Sequence, residues 1–424
     1  MERLEAYSNI AAVSTVAKIC NIIVRSDEGI TRAELARFTG FSKSTITQHV
    51  DTLLSSGFIT QISLPDKSNG GRTSQYLKLN KDCGVVVAID LGITSLHVGI
   101  CNIMGEPLAV KCIENINVNE GPEAILQKAV SMANDLLEEL NVPKRRLLGV
   151  GMGVPAPLEF STGRPVSPPV MLSWDGYSVK EYLEKAFGVR AYVDNDVNIM
   201  AIAELWRGDA RDDLNFLFIK LGTGIGCGII SNGNIYRGSN GCAGDIGHMK
   251  VDGFTHTCYC GNIGCLEKLA GAAAIQERAY ELARNKESPY LEKLLSQGEE
   301  ITCKSVNAAV TSGDISCIEL IRTVGGYIGD VVSNLVTFFN PSKIVFGGGI
   351  SNFGDVIINP IRKKIYGSCG SLATKDLQIQ RSRLGENCGV IGAAILVREE
   401  LFHPKEFTKV LSSVLEGDTA ANGK

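Results

Sequence analysis

The sequence predicts two parts, a small, mainly helical winged helix-turn-helix head and a larger α/β domain built from two similar lobes. The head is carried by one order of signals in the first eighty residues: a capping box, a turn, an amphipathic helix and two alternating strands. The lobes are carried by a strand, glycine turn, strand unit at Asp90-Leu91-Gly92 that recurs about 130 residues later at Lys220-Leu221-Gly222.

In the head, Thr31-Arg32-Ala33-Glu34 forms the capping box, in which the Thr hydroxyl accepts from the Glu34 N–H and the Glu carboxylate returns to the Thr31 N–H. The helix it starts is short, because Thr39-Gly40-Phe41 supplies a turn. Ser42 then caps a second helix whose Ile46, Val50, Leu53 and Leu54 fall on one stripe. Its other face carries Lys43, Ser44, Thr45, Thr47, Gln48 and His49 beside Ser42, short polar groups that suit phosphates and base edges. Gly57 closes the helix. Residues 58–62 and 75–79 alternate as strands of a hairpin wing, and Arg72 near its tip is the residue expected to enter a minor groove or clamp a phosphate. The competing reading is a helical module for protein contacts with a merely solvated polar face.

Composition sets limits on both parts. At 424 residues, 44% hydrophobic and 21% charged, the chain has the bulk of an ordinary globular protein. Its net charge of −4 excludes a bulk polycation that coats nucleic acid. Residues 1–80, however, hold nine Lys and Arg against seven Asp and Glu, net +2, and leave −6 for the rest. No apolar run approaches the roughly 20 residues of a membrane span, and no leader is evident, so the expected location is the cytoplasm. Most of the thirteen cysteines are scattered singly and read as reduced packing residues.

In the large domain, Val85–Leu91 and Asn215–Leu221 each feed a glycine turn into a second strand and a hairpin, which predicts two lobes with a cleft between them. The run Gly222-Thr223-Gly224-Ile225-Gly226 is not a dinucleotide fingerprint, since it leads into a strand rather than a helix. It offers a nest of backbone N–H groups for phosphate oxygens. A third cluster, Gly347-Gly348-Gly349, ends a buried strand and leaves room for a nucleotide base or ribose; taken singly, such a loop is more often a plain tight turn. Between the lobes, Asp194-Asn195-Asp196-Val197-Asn198 ends a strand and precedes a helix expected from Ile199 to about Trp206. Asp196 is the candidate general base for a sugar hydroxyl in phosphoryl transfer, the alternative being a plain helix cap.

His248, Cys258, Cys260 and Cys265 supply one imidazole and three thiolates, a closed tetrahedral shell of the kind structural zinc prefers. Unmetallated thiols are the alternative. Such a knot holds Asp245 and Glu267, both acceptors for sugar hydroxyls, in fixed relation.

These residues resemble the ROK family of repressors and sugar kinases, in particular its sugar-responsive repressors of the xylose and N-acetylglucosamine type, which carry a winged head. Asp90-Leu91-Gly92-Ile93-Thr94 is similar to the family's first phosphate loop and the 221–226 run to its second. Asn195-Asp196-Val197-Asn198 resembles the motif of its catalytic aspartate. Gly244-Asp245-Ile246-Gly247-His248 resembles its sugar and zinc motif, and Cys258-x-Cys260-Gly-x-x-Gly-Cys265-x-Glu267 matches its signature throughout.

The resemblance implies an actin-like, hexokinase-type (ribonuclease H-like) fold, with sugar held by Asn195, Asp196, Asp245, His248 and Glu267. Nucleotide, with Mg²⁺, would be held by Asp90, Gly92, Thr94, Gly222, Thr223, Gly224, Gly226, Gly348 and Gly349 only if the chain is a kinase. It departs from the kinases at Ile93 and Ser95 in the first loop, at Asp245, where Glu is usual, and at Met171-Leu172-Ser173-Trp174.

The expected organisation is a DNA-binding head at 1–80, lobe 1 at 84–205 with a helix at about 386–402 returning to it, lobe 2 with the zinc site at 206–385, and a tail at 403–424. The expected function is a regulator, in the first place a repressor, with operator DNA and a sugar as partners and a dimer or tetramer as its assembly. The alternative is an ATP-dependent hexose or N-acylhexosamine kinase.

Overall fold

The computed structural model describes residues 14–26, 28–65, 73–408 and 410–412. Arg72 at the wing tip, and residues 413–424 of the expected tail, lie outside them. No helix among the described residues is long and apolar enough to cross a membrane.

The head contains α1 (Thr15–Val24), α2 (Arg32–Thr39) and α3 (Lys43–Ser55), followed by the hairpin β1 (Ile59–Pro65) and β2 (Thr73–Leu79). Both halves of the capping box form: Thr31 Oγ1 accepts from the Glu34 N–H at 3.2 Å and Glu34 Oε2 from the Thr31 N–H at 2.9 Å. Ser42 Oγ accepts from the Thr45 N–H at 3.1 Å, and Ile46, Val50 and Leu53 point into the core. The strands run longer than the 58–62 and 75–79 read from the pattern, because cross-strand pairing continues to the wing. Helix α1 is amphipathic and packed on most sides: Ala17, Ile19, Cys20, Ile22, Ile23 and Val24 are buried, while Thr15 and Lys18 are half-buried.

Lobe 1 is the sheet β5-β4-β3-β6-β9, with β3 (Val85–Leu91), β4 (Ser95–Asn102), β5 (Pro107–Glu114), β6 (Leu147–Val154) and β9 (Ala191–Asn195). A two-residue ribbon, β7 (Leu158–Glu159) and β8 (Arg164–Pro165), stands beside it. Lobe 2 repeats the order as β12-β11-β10-β13-β14, with β10 (Phe216–Leu221), β11 (Ile225–Ser231), β12 (Asn234–Ile235), β13 (Lys343–Gly347) and β14 (Gln378–Arg381). In both sheets the first three strands form an antiparallel meander and the last two add in parallel. This shared topology is the duplication seen in the sequence.

One face of each sheet is covered separately. Lobe 1 uses α4 (Pro122–Glu139) and α5 (Val179–Phe187), while lobe 2 uses α7 (Leu266–Ala270) through α8 (Ala272–Arg284), α9 (Pro289–Ser296), α10 (Cys303–Thr311), α11 (Ile315–Phe339), α12 (Asp355–Ser368) and α13 (Ser371–Thr374). The inner faces share a helix pair. Helix α6 (Asp196–Arg207) lies on the lobe 2 sheet, α14 (Cys388–Leu401) on the lobe 1 sheet, and the two pack on each other. A Cβ at Gly392 would overlap the Ile199 carbonyl, so the close crossing needs glycine there.

The same buried cluster continues from this pair into the head, joining Ile199, Trp206 and Ile395 to Ile19, Ile23 and Phe58. Phe58 stands edge-on to Phe402 and Phe407, with ring centres at 5.5 and 5.8 Å. Arg25 pairs with Glu399 at 2.6 Å and Asn21 Nδ2 donates to the Phe402 carbonyl at 3.4 Å. Phe407→Ala should therefore cost about 3–5 kcal/mol, the usual range for an aromatic side chain removed from a packed core. The check is the denaturant midpoint, with proteolysis between head and lobe 1 as a second readout. An unchanged midpoint would mean that this cluster does not hold the head.

Candidate functional site

The cleft between the lobes encloses about 990 Å³. Every residue expected to touch sugar, namely Asn195, Asp196, Asp245, His248 and Glu267, lines it. So does every residue expected to touch nucleotide: Asp90, Gly92, Thr94, Gly222, Thr223, Gly224, Gly226, Gly348 and Gly349. Ile93 and Ser95 share that wall, whereas Met171 is buried in the lobe 1 core and presents nothing polar to the cleft.

On the lobe 1 side the site sits where β9 turns into α6. The helix begins at Asp196 rather than at Ile199, because Asn195 is its cap: Asn195 Oδ1 accepts from the Val197 and Asn198 N–H groups at 2.9 and 3.4 Å. The Asn195 amide donates to the Ala156 carbonyl at 3.1 Å, so one amide hydrogen is left for a ligand. Asp196 is thus not the helix cap. Its Oδ1 accepts from its neighbour's N–H at Val197, 2.9 Å away, and its Oδ2 accepts from the Lys220 ammonium. Buried Asp194 fixes the turn from behind, bonded to Asn198 at 2.9 Å and to Arg237 of lobe 2 at 2.7 Å, with the Arg237 guanidinium 3.7 Å from the centre of the Phe160 ring.

Lys220 escaped the sequence reading. The signal was present: it is the one charged residue in the buried strand Phe216-Leu-Phe-Ile-Lys-Leu221. Its cross-strand partners on β11 and β13 are Gly226 and Gly347, over which Val197 and the Phe218 ring are packed. Burial alone would lower its pKa, but Asp196 and Asp90 together hold it above the ordinary lysine value. Burial pushes Asp90 up to about 6, with Lys220 opposing and Asp196 adding to the shift.

On the lobe 2 side, exposed Asp245 and half-buried His248 flank a short turn, and Glu267 opens α7. Glu267 Oε2 accepts from the Ile225 N–H at 2.8 Å, fixing the carboxylate against the second glycine loop, while Oε1 accepts from the Tyr259 hydroxyl. Burial raises the Glu267 pKa against that backbone bond. Tyr259 also stands edge-on to His248 at 5.4 Å and was not singled out from the sequence, where it reads as a spacer between two cysteines.

The ligand atoms of His248, Cys258, Cys260 and Cys265 all lie within 4.8 Å of one another, an arrangement that can hold a metal ion. Cys258 Sγ to His248 Nδ1 and Cys260 Sγ to Cys265 Sγ are both 3.7 Å. A tetrahedral shell with metal–sulfur bonds of about 2.3 Å has edges of about 3.8 Å, so the donors fit a closed site in type and spacing.

On the head, Ser42, Lys43, Ser44, Thr47 and Gln48 are exposed and Thr45 and His49 half-buried, all on or beside α3. Ser42 is engaged as the cap, Ser44 bonds the Ser42 hydroxyl at 2.8 Å and Thr47 the Lys43 carbonyl at 3.0 Å, which leaves Lys43 and Gln48 the better placed to reach outward.

Asn195→Ala removes the cap that places Asp196 and should cost about 1 kcal/mol, within the 0.5–2 of such caps, whereas Asn195→Asp keeps an acceptor and most of the stability. Thermal melting of the two variants checks it; equal losses would assign the cost to the Ala156 contact instead.

Comparison with known proteins agrees with this geometry. A winged helix-turn-helix DNA-binding profile matches residues 18–60, and the ROK family profile matches residues 86–400. The chain is 28% identical over 389 residues to the xylose repressor of Caldicellulosiruptor bescii, covering 89% of this chain and 94% of that protein. It is 33% identical over 317 residues to a glucokinase of Halalkalibacterium halodurans, covering 74% of this chain and 95% of the kinase. A solved ROK family transcriptional regulator, a homologue of the E. coli MLC protein, shares the fold at a TM-score of 0.80 and 22% identity over 96% of this chain and 100% of its own. With two lobes of one topology, a shared cleft and a family match over residues 86–400, the chain belongs to the ROK family and carries a winged helix-turn-helix at its N-terminus.

Proposed function

We infer that this protein is a sugar-responsive transcriptional repressor, binding operator DNA through its winged head and a sugar in the cleft between its lobes. The observation that carries this reading is that α6 links the two: Asp196 at its first turn faces the cleft, and Trp206 at its last turn lies under Arg398, 4.0 Å from the ring centre, within the core shared with the head. Repressor relatives extend across head and lobes, whereas the glucokinase match covers only 74% of the chain.

On the DNA side, Lys43, Ser44, Thr45, Thr47, Gln48 and His49, with Ser42 and Arg72, are the proposed contacts, in a dimer that reads an inverted repeat. On the sugar side, Asp245, His248 and Glu267 from lobe 2 and Asn195 and Asp196 from lobe 1 offer hydrogen bonds to hydroxyls on opposite walls. A sugar that bridges them favours the closed arrangement of the lobes, and it shifts the equilibrium only by its differential affinity for the two arrangements.

The second reading, a hexose or N-acylhexosamine kinase, draws on the glucokinase likeness and on the retained Asp196 and glycine loops. It is weakened by the Lys220 ammonium on Asp196 Oδ2, whose positive charge favours the ionised carboxylate and makes it a poorer acceptor for a sugar proton.

Zinc is the metal proposed for the His248, Cys258, Cys260 and Cys265 shell. Its role there is structural, tying Asp245 and His248 to Glu267. Metal analysis should find about one zinc per chain, lost in Cys260→Ser together with sugar binding. Wild-type protein that is folded, sugar-competent and zinc-free would overturn this assignment.

Adding the effector sugar should change operator affinity by roughly 5- to 150-fold, the span of typical allosteric couplings of about 1–3 kcal/mol. Asp245→Ala should abolish the response while leaving DNA affinity in the absence of sugar unchanged. Fluorescence anisotropy of labelled DNA from the protein's own upstream region, titrated against a sugar panel, checks both. Turnover at ordinary kinase rates, about 1–100 per second, with DNA affinity indifferent to that sugar, would install the enzyme reading.

A further inference from the structure

The glycine-loop end of the cleft retains the shape of a nucleotide site, yet its charges are arranged for something else. Phosphoryl transfer from a nucleotide needs a divalent cation, held by carboxylates, that bridges the phosphate oxygens, and a base with a free lone pair for the acceptor hydroxyl. Six carboxylates line the cleft: Asp90, Glu114, Asp196, Asp245, Glu267 and Glu386. Glu114 pairs with Lys304 at 3.2 Å, and both Glu267 oxygens accept internal hydrogen bonds. Asp245 lies beside the proposed zinc shell, and Glu386 is exposed. Buried Asp90 and Asp196 are therefore the pair able to receive a metal close to the glycine loops.

That pair already has a cation. The Lys220 side chain, on the strand between Gly226 and Gly347, places its ammonium on Asp196 Oδ2, within electrostatic range of Asp90. Asp90 lies hard against α14: a Cβ at Gly389, in the first turn of that helix, would overlap its carboxylate. Its Oδ1 has no hydrogen-bond partner among the described residues. A hydrated Mg²⁺ between these carboxylates would have to displace the ammonium or stand beside it, with the lysine's positive charge repelling the incoming metal. With the ammonium in place, the charges of this pair do not fit a magnesium nucleotide.

We propose that Lys220 is a built-in replacement for the divalent cation, closing the phosphoryl-transfer end of the cleft so that Asp196 serves as a fixed post for a sugar hydroxyl. The inference deepens the repressor reading and rests on it for the sugar, but its test does not. The ammonium engages one Asp196 oxygen and the Val197 N–H the other, so the carboxylate stays oriented whether or not ligand is present. The lone pairs that remain can accept from a hydroxyl, which is binding without proton removal.

The test uses the full zinc-loaded chain and two probes, Mn²⁺ followed by electron paramagnetic resonance and the magnesium complex of a non-hydrolysable ATP analogue followed by calorimetry. Wild type and Lys220→Arg should bind neither beyond the background that Asp90→Asn also shows. Lys220→Met, similar in length but uncharged, should gain one Mn²⁺ per chain, at least about tenfold tighter than wild type, because the repelling charge is gone and the two carboxylates remain. The added Asp90→Asn change should remove the gain. Zinc content and melting temperature report whether Lys220→Met is folded, and Lys220→Gln takes its place if it is not. Wild type that binds Mn²⁺ or the magnesium nucleotide as tightly as Lys220→Met, or a folded uncharged variant that gains nothing, overturns the proposal. Because operator binding and its sugar response are measured separately, a wild type that takes up metal yet still answers to sugar overturns the lysine's role and leaves the repressor reading standing.

Discussion

The packing of α6 against α14 is the contact on which the rest of the molecule depends. Each helix covers the inner face of one lobe's sheet, so neither lobe has a complete core without the pair. The crossing is close enough that Gly392 has no space for a side chain over the Ile199 carbonyl. Contacts at that separation behave as rigid bodies, because interiors are packed like solids and resist small deformations. A movement of one lobe against the other is therefore a movement of these helices or around them.

Both functional ends of the protein hang on this pair. The first turn of α6 carries Asp196, held by the Asn195 cap and the Lys220 ion pair, and the first turn of α14 presses Gly389 on Asp90. At the far ends, Arg398 stacks on Trp206, and Phe402 and Phe407 close around Phe58 of the head. The cleft and the DNA-reading head thus share a single apolar cluster rather than a flexible linker. For a sensor this arrangement has a physical advantage: a small difference in cleft geometry has a packed route to the head, and packed routes have few alternative arrangements.

A second consequence concerns chemistry. The two glycine loops and the two buried aspartates are the parts from which phosphoryl transfer is built, and they occupy one cleft. A lysine stands among them, at a strand position whose cross-strand neighbours are both glycine. A single charge introduced into a buried carboxylate pair alters both what the pair can bind and what proton it can take, since charge interactions are strongest where water is excluded.

The sequence alone determined the features that are local or periodic. The capping box at Thr31 and Glu34, the amphipathic stripe of α3, the hairpin, the repeated strand–glycine–strand unit and the spaced cysteines are all read from neighbours within a few residues, and each has a physical cause that acts at that range. It misplaced the start of α6 by three residues, because the cap was Asn195 rather than anything nearer Ile199. Helix α1 went unread there, although Thr15, Lys18 and Asn21 recur every third residue among its apolar positions. Only the tertiary structure decided the pairings between distant segments: Lys220 with Asp196, Asp194 with Arg237 across the lobes, and α1 with the chain's last helical residues. Those pairings depend on where the sheets and the α6–α14 crossing place groups tens to hundreds of residues apart, and no local pattern encodes a distance that only the folded core fixes.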